Sequence, residues 1–341
     1  MEEVARLYGY DNIPTTRLAD SLPPAHPNAA TELKDRLSDL LAQLGLTEVI
    51  TYRLTAVERE ARLTPPGQTA VAQPYVMLQN PLTPERSVMR RSLLSSVLEV
   101  LEKNIRLCDR LAFFEIGPVF LPVDGQDLPV EQNRLVLALS GVRELPAWDV
   151  HETKTMDFFD LKGVVEALLD ALHVPDVHYQ SVEGIVFHPG KSAQVLVGEQ
   201  VVGVFGELHP QVKERFDFGL APVLAADFDL EALLALVPKA YPTESVPTFP
   251  PVKEDIAVVV DESLPNEHIE GLIRQTGGKM LADVRLFDIF RGIQIGAGKK
   301  SMAYNLTYQA LDRTLTDAEV AQIRNKIVKR LEQELGAKLR S

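Results

Sequence analysis

Asp288 and Phe290, near the carboxyl end of the chain, are spaced for joint recognition of a planar ligand. Residues two apart in a strand project from the same face of the sheet. An open phenylalanine ring can stack on a nucleic-acid base, and a carboxylate beside it can accept hydrogen bonds from the base edge. The alternative, a ring that covers part of the sheet beside a solvated carboxylate, is the interpretation that the local pattern alone favours. The same alternation predicts that Phe287 and Ile289 point the other way, toward helices.

Four basic residues near this pair could contact phosphate groups: Arg291, Lys299, Lys300 and Arg313. Such contacts position a nucleic acid but do not read its sequence. As single surface cations, these side chains could equally be solvated, and the local pattern alone favours that interpretation.

A second basic group, Arg86, Arg90 and Arg91, precedes a leucine-rich helical segment. Arginines can hold phosphate with two parallel hydrogen bonds. They could equally pair with acidic neighbours at a helix start or at a subunit interface, and the interface interpretation is favoured.

Two segments with Pro and Gly, His188-Pro189-Gly190-Lys191 and Gly206-Glu207-Leu208-His209-Pro210, could form substrate or phosphate loops. Pro and Gly also shape ordinary turns. The sequence has no P-loop, HExxH or GxSxG motif, and its histidines show no metal-ligand spacing. Without a nucleophile or metal ligand nearby, turns are the favoured interpretation.

The composition is that of a globular protein with two or three domains. The 341 residues are 45% hydrophobic and 24% charged, and no apolar run reaches the ~18–20 residues that a membrane helix needs. One cysteine excludes a disulfide framework, so a reducing, cytoplasmic setting and no membrane are expected. The net charge of −13 is uneven: the acidic excess precedes Pro247, and the remainder is close to balanced.

Proline-rich stretches divide the chain into four predicted parts. Residues 1–28 end a preceding domain and form a connector, 29–237 form the main module, 238–250 a linker, and 251–341 a last domain. The main module mixes leucine stripes at helical spacing with strand-like runs and a glycine hairpin at Gly198. This mixture predicts a largely antiparallel α+β domain.

The last domain reads as a βαββαβ unit, the ferredoxin-like arrangement. Strands are predicted at 255–260, 281–290, 301–309 and 337–339. The first helix stops at Gly277-Gly278, and Thr316 with Glu319 forms a capping box that opens the second. Such a sheet leaves one face free of helices, and RNA-binding modules of this topology use that face.

Several segments, in order, resemble the carboxyl-terminal part of bacterial phenylalanyl-tRNA synthetase beta subunits. Residues 2–14 resemble the segment that precedes the catalytic-like module. Other segments resemble that module and its ferredoxin-fold anticodon-binding domain: residues 80–94, 114–117 and 205–210 for the former, and 286–292, 300–303 and 313–317 for the latter. The ordered set covers essentially all 341 residues.

The resemblance implies a class II synthetase-like antiparallel-sheet module followed by the ferredoxin-like domain. It also implies an (alpha-beta)2 heterotetramer that charges tRNA(Phe) using ATP and Mg2+, with the active site in the alpha subunit. This chain is expected to be inactive alone, because the Phe-Arg-x-Glu signature and the ATP-binding arginine are missing and Phe114-Glu115 is only a remnant of the former. Upstream tRNA-binding and editing domains are also missing, so the chain is expected to be a fragment that does not edit.

The resemblance assigns roles to individual residues. Asp288 and Ser301 match positions that contact anticodon bases, and Phe290 matches a stacking aromatic, with Phe where Tyr can stand. Glu2 and Glu3 match two of four carboxylates that bind Mg2+ near the alpha subunit. Two carboxylates bind a hard cation weakly, so a partial site is expected.

The main hypothesis is therefore a non-catalytic subunit portion that packs on alpha and grips the tRNA(Phe) anticodon. Two alternatives stay open at this point. One is a structural scaffold whose tail does not bind RNA, and the other is a free-standing ligase that activates an amino acid itself. The missing ATP-binding arginine argues against the second.

Overall fold

The computed structural model describes residues 1–17, 19, 26, 28–68, 74–150, 154–243 and 245–340, with the backbone only at 293. The chain divides into two compact units, Met1–Tyr241 and Pro242–Ser341. Most of the proline-rich connector predicted before residue 29 lies outside the described residues.

The first unit contains a seven-stranded sheet and a separate pair of short strands. The strands are β1 Thr47–Glu48, β2 Leu54–Thr55, β3 Val88–Met89, β4 Arg110–Leu121, β5 Val130–Gly141, β6 Val177–Ser181, β7 Phe187–Val197, β8 Gln200–Leu208 and β9 Val223–Asp229. The large sheet has the order β1-β4-β5-β9-β8-β7-β6, and β2 pairs with β3. Neighbours in the large sheet are antiparallel except β1 and β4, as the strand and hairpin signals predicted.

Helices cover both faces of the large sheet. The helices of this unit are α1 Glu2–Tyr8, α2 Ala29–Gln43, α3 Val57–Glu60, α4 Leu93–Asn104, α5 Phe158–Ala171, α6 Pro210–Lys213 and α7 Leu230–Ala235. Apolar residues of α2, α5 and α7 share one core cluster with alternate residues of β5, Leu135, Leu137 and Leu139. Residues of α4 and α6 pack with the intervening Val136 and Ala138. Strand β5 is therefore buried on both sides.

Two glycines end secondary-structure elements where the sequence predicted. Gly45 follows α2 with a φ of +85°, a left-handed conformation that glycine adopts without steric cost. Gly198 and Glu199 connect β7 to β8, with Val197 paired to Gln200 and a φ of +58° at Gly198. A two-residue hairpin loop of this kind needs positive φ, so the glycine fits the turn.

The second unit is a βαββαβ domain. Its elements are β10 Val252–Asp261, α8 Asn266–Gly277, β11 Leu281–Phe290, β12 Lys299–Tyr308, α9 Asp317–Leu335 and β13 Lys338–Leu339. The strands lie in the order β11-β12-β10-β13. Both helices share one core cluster with the sheet. The predicted capping box is present, because Thr316 and Glu319 exchange side-chain-to-backbone hydrogen bonds at the start of α9.

The α+β class is confirmed, with a mainly antiparallel module followed by a ferredoxin-like domain. No helix within the described residues combines the length and apolarity that crossing a bilayer requires.

Candidate nucleic-acid interface

The ferredoxin-like sheet has one covered and one open face. Along β12, Met302, Tyr304, Leu306 and Tyr308 are buried in the cluster that includes both helices. The alternating residues project from the opposite face, together with their cross-strand neighbours on β10 and β11. We call this opposite side the open face, and it carries these residues: Asp255, Ala257, Val259, Arg285, Asp288, Phe290, Ser301, Ala303 and Asn305.

The three residues assigned to base recognition meet in one corner of the open face. Phe290 lies directly opposite Ser301, and Asp288 lies opposite Ala303. Ala257 pairs with Ala303 on the other side of β12. These small alanine side chains form a low floor, a part of the sheet surface beside the Phe290 ring with little side-chain height. A planar ligand could approach the sheet backbone at this point.

Arg340 occupies this corner, and sequence reasoning missed it. Its guanidinium carbon lies 5.0 Å from the centroid of the Phe290 ring, and its Nη1 donates to the Ser301 hydroxyl oxygen at 3.5 Å. Ser301 is consequently only 3% exposed. Short strand β13 pairs with β10 and brings Arg340 beside the corner, where its amide donates to the Ala257 carbonyl. Only the strand order shows this proximity, because Phe290 and Arg340 are far apart in sequence.

The prediction that Phe287 points toward the helices is wrong. The register shifts between Leu286 and Asp288, so Phe287 is an extra residue in β11. Such a bulge interrupts the alternation of side chains. Phe287 is 54% exposed and lines a shallow depression on the open face with Asp255, Arg285 and Asn305. Ile289 follows the prediction, because it pairs with buried Met302 on the helix side.

The four candidate phosphate contacts differ in their surroundings. Lys299 is exposed at the edge of the open face, opposite Asp261. Lys300 pairs with buried Val260 and is itself only 9% exposed, so its Cβ lies on the helix side rather than the open face.

The two arginines are held by carboxylates. Arg291 bonds Glu262 at 2.9 Å, and Arg313 bonds Asp312 and Glu319 at 3.0 and 3.1 Å. The hydrogen bond from Arg313 to Glu319 raises the arginine pKa further above its usual range. An RNA phosphate would have to compete with these carboxylates.

The residues present do not by themselves fit a magnesium site. Glu2 and Glu3 are adjacent in α1, and Glu3 already bonds Arg6 at 2.6 Å. Within the described residues, no group of three or more His, Cys, Asp or Glu side chains is placed to hold a metal. Mg2+ needs an octahedral set of oxygen ligands, so these two carboxylates would hold it only with further ligands.

One arginine of the basic group in the first unit is enclosed within the fold, while Arg86 is exposed and Arg91 is partly exposed. Arg90 is 1% exposed and bonds Glu115 at 3.0 Å. It also donates to the Pro118 carbonyl and the Thr51 hydroxyl, each at 2.8 Å.

The other two arginines of that group lie over aromatic rings. The guanidinium of Arg86 is 3.4 Å from the centroid of Tyr52, and that of Arg91 is 4.9 Å from the centroid of Tyr75.

The two Pro- and Gly-containing segments are not simple turns. The first, residues 188–191, lies within β7 at an irregular stretch of its register with β8. The second ends β8, where His209 caps α6. Lys191 of the first bonds Glu207 of the second at 2.6 Å, and both line a cavity of about 520 Å³ together with Phe158, Phe159 and Tyr179.

The two units together define a class of protein: a helix-covered antiparallel module joined to a ferredoxin-like domain with an open sheet face. A family profile described as phenylalanyl tRNA synthetase beta chain CLM domain matches residues 13–230. One described as ferredoxin-fold anticodon binding domain matches residues 247–340. The chain therefore belongs to the phenylalanyl-tRNA synthetase beta-chain family.

Curated relatives named phenylalanine–tRNA ligase beta subunit agree with this assignment. The protein of Syntrophotalea carbinolica is 40% identical over 100% of this chain and 42% of its own length. That of Symbiobacterium thermophilum is 40% identical over 100% of this chain and 38% of its own. The chain thus spans about two-fifths of the length of these relatives. A solved pyrrolysyl-tRNA synthetase of Desulfitobacterium hafniense matches with a TM-score of 0.45 and 20% identity, over 60% of this chain and 67% of that one.

Proposed function

We propose that this chain is the non-catalytic carboxyl-terminal portion of a phenylalanine–tRNA ligase beta subunit and that it recognises the anticodon of tRNA(Phe). The observation that carries the proposal is the corner of the open face where Phe290, Asp288 and Ser301 lie together. A ring, a carboxylate and a hydroxyl on one flat surface supply the stacking and base-edge contacts that recognition of a single-stranded loop requires.

Each residue of the corner has a separate task in this proposal. The ring of Phe290 stacks on one base. The backbone of Gly292 packs against this ring, since a Cβ atom at position 292 would lie 2.8 Å from it. Asp288 accepts hydrogen bonds from base amino or imino groups, because an ionised carboxylate only accepts. Ser301 can donate or accept once the Arg340 side chain has turned away from it.

Phosphate contacts in the proposal come first from Lys299 and Arg340, two cations at the side of the open face that carries Phe290. Arg291 and Arg313 contribute by exchanging a carboxylate partner for a phosphate. Lys300 contributes least, because its side chain starts on the helix side of the sheet. Contacts of this kind make affinity fall with added salt, whereas stacking and base-edge contacts set sequence preference.

The remaining parts of the proposal concern the whole enzyme. The first unit packs on an alpha subunit within an (alpha-beta)2 heterotetramer in the cytoplasm, and alpha carries out ATP- and Mg2+-dependent phenylalanylation. Glu2 and Glu3 contribute to a shared Mg2+ site only with carboxylates outside this chain. The proposed domains are a connector to residue 28, a module over 29–237, a linker over 238–250 and an anticodon-binding domain over 251–341.

The scaffold alternative has one observation in its favour: Ser301 is buried beneath Arg340. A scaffold whose tail does not bind RNA could keep the arginine there permanently. Such a scaffold would show no preference for the native anticodon, which makes the two functions separable by RNA binding.

The test is a titration of the chain with the tRNA(Phe) anticodon stem–loop and with a version whose three anticodon bases are replaced, at two salt concentrations. We expect a preference for the native loop that persists at the higher salt. Phe290→Ala should weaken native binding about 5- to 150-fold, the range expected for one stacked base.

Ile289→Ala is the matched control, because Ile289 is the adjacent partly exposed apolar residue on the other face of the strand. Equal, salt-sensitive binding of both loops would mean phosphate contact alone. No loss with Phe290→Ala would favour the scaffold alternative.

A further inference from the structure

We propose a second base-binding subsite on the open face, built around Phe287. This inference rests on the proposed function, because it extends the same RNA-binding surface. Its occupant is an unpaired RNA base whose Watson–Crick edge carries an exocyclic amino group beside an unprotonated ring nitrogen, which means adenine or cytosine.

The bulge in β11 lets Phe287 and Asp288 share the open face. Arg285 faces that side, so alternation along the strand places Phe287 there too, and the extra residue brings Asp288 and Phe290 to the same face. The ring of Phe287 is 54% exposed and forms one wall of a depression of about 220 Å³ with Asp255, Arg285 and Asn305. An aromatic ring exposed on a sheet face that already carries Phe290 is a second stacking platform.

The polar walls of the depression have the donors and acceptors that such a base needs. Asn305 donates its amide nitrogen to Asp255 Oδ1 at 2.7 Å. The amide carbonyl of Asn305 and the second carboxylate oxygen can then accept from a base amino group. Arg285 makes no ion pair within the described part of the chain, so its guanidinium can donate to the ring nitrogen beside that amino group. The Asp255 carboxylate repels phosphate, which favours a base edge over the backbone at this point.

The two platforms must serve different bases. Phe290 lies opposite Ser301, and Phe287 is the extra residue between Leu286, opposite Tyr304, and Asp288, opposite Ala303. At about 3.3 Å per residue of β12, the two rings start ~7–10 Å apart along the strand. Stacked neighbouring bases are only ~3.4 Å apart, so a base on each ring means two bases that are not stacked on each other. The low floor of Ala257 and Ala303 lies between them.

The experiment measures binding of the tRNA(Phe) anticodon stem–loop to the full chain and to three variants: Phe287→Ala, Phe290→Ala and Ile289→Ala. Circular dichroism confirms that each variant is folded. We expect Phe287→Ala to weaken binding about tenfold, within the range for one base–aromatic stack. Ile289→Ala should change the affinity less than twofold.

Stem–loops with a single abasic position, tested against each variant, identify the base in each subsite. In each variant, one abasic position should no longer reduce the affinity, because the ring that binds that base is already missing. This position should differ between Phe287→Ala and Phe290→Ala. If the Phe287 base is adenine, replacing it with purine, which lacks only the amino group, should weaken binding of the unmodified chain. The same replacement should have little effect on Asn305→Ala.

The outcomes separate the two proposals. Loss of binding with Phe290→Ala but not with Phe287→Ala overturns the second subsite and leaves the proposed function in place. Loss with neither variant overturns both. The same critical abasic position for both variants would mean one extended site and would also overturn the second subsite.

Discussion

The two sheets of this protein differ in how many of their faces are covered, and the difference is visible in single strands. Strand β5 has an unbroken buried run from Leu135 to Ser140, because helices pack on both sides of it. Strand β12 buries every second residue from Met302 to Tyr308 and leaves the intervening ones less covered. Two helices cover only one side of a four-stranded sheet, so the other side is available to a ligand.

Selected ion pairs from the two units show a similar contrast between enclosed and exposed positions. In the first, Arg90 and Glu115 form a pair that is almost fully enclosed. In the second, the pairs of Arg291 and Arg313 lie in solvent. A buried pair serves the fold, because neither partner can leave without exposing the other to an apolar interior. A solvent-exposed pair costs little to open, so its arginine remains available to another anion.

The largest expected effect comes from breaking the enclosed pair. Arg90→Ala leaves Glu115 buried without its partner and should reduce the free energy of unfolding of the first unit by ~3–5 kcal/mol. Arg291→Ala, which removes an exposed pair, should cost less than ~1 kcal/mol. Chemical denaturation followed by circular dichroism measures both. Similar losses in the two variants would contradict this contrast between the units.

Removing the helix cap of the second unit should have an intermediate effect. Thr316→Ala deletes the hydroxyl that accepts from the Glu319 amide and donates to its carboxylate. The expected loss is ~1 kcal/mol of unfolding free energy. Thr314→Ala, outside the capping box, is the matched control. The unfolding transition of this unit should shift with the first variant only.

The same cap predicts a pH dependence. The hydrogen bonds from Thr316 lower the pKa of Glu319 to about 2, compared with an ordinary value of 4.5. The unfolded chain therefore takes up this proton at higher pH than the folded chain. The contribution is complete above pH 4.5 and declines as the pH falls toward 2. Denaturation of the Glu319→Gln variant should lack this component of the pH dependence, and an unchanged profile would contradict the assignment.

A smaller effect is expected at the covered corner of the open face. Arg340→Ala should weaken stem–loop binding a few-fold and reduce the steepness of its salt dependence by about one unit, because one cation near phosphate is lost. Arg340→Lys should restore most of the salt dependence, since it keeps the charge. Tighter binding by Arg340→Ala would instead mean that this side chain only obstructs Phe290.

The smallest effect distinguishes two neighbouring lysines. Lys299→Ala should slightly reduce the salt dependence of stem–loop binding, whereas Lys300→Ala should leave it unchanged, because the two side chains start on opposite faces of β12. Binding isotherms at several salt concentrations measure the difference. A larger effect of Lys300→Ala would contradict the face assignment.

The sequence by itself determined the elements and their order in the second unit. The bounds of β11 agree with the prediction, and Thr316 with Glu319 marks the start of α9. It also identified Asp288 and Phe290 as neighbours on one face. These features depend on residues close together in the chain, so side-chain periodicity and capping motifs are enough to predict them.

The tertiary structure decided what no local pattern contains. The extra residue at Phe287 appears only when β11 is paired with β12, because a bulge is a mismatch between two strands. Burial of Lys300 depends on the helices above the sheet. The position of Arg340 depends on β13 pairing with β10. Likewise, Arg90 and Glu115 meet only because β4 folds back beside the segment that precedes α4. Long-range strand pairing brings such groups together, and the number of residues between them in the sequence does not predict that they meet.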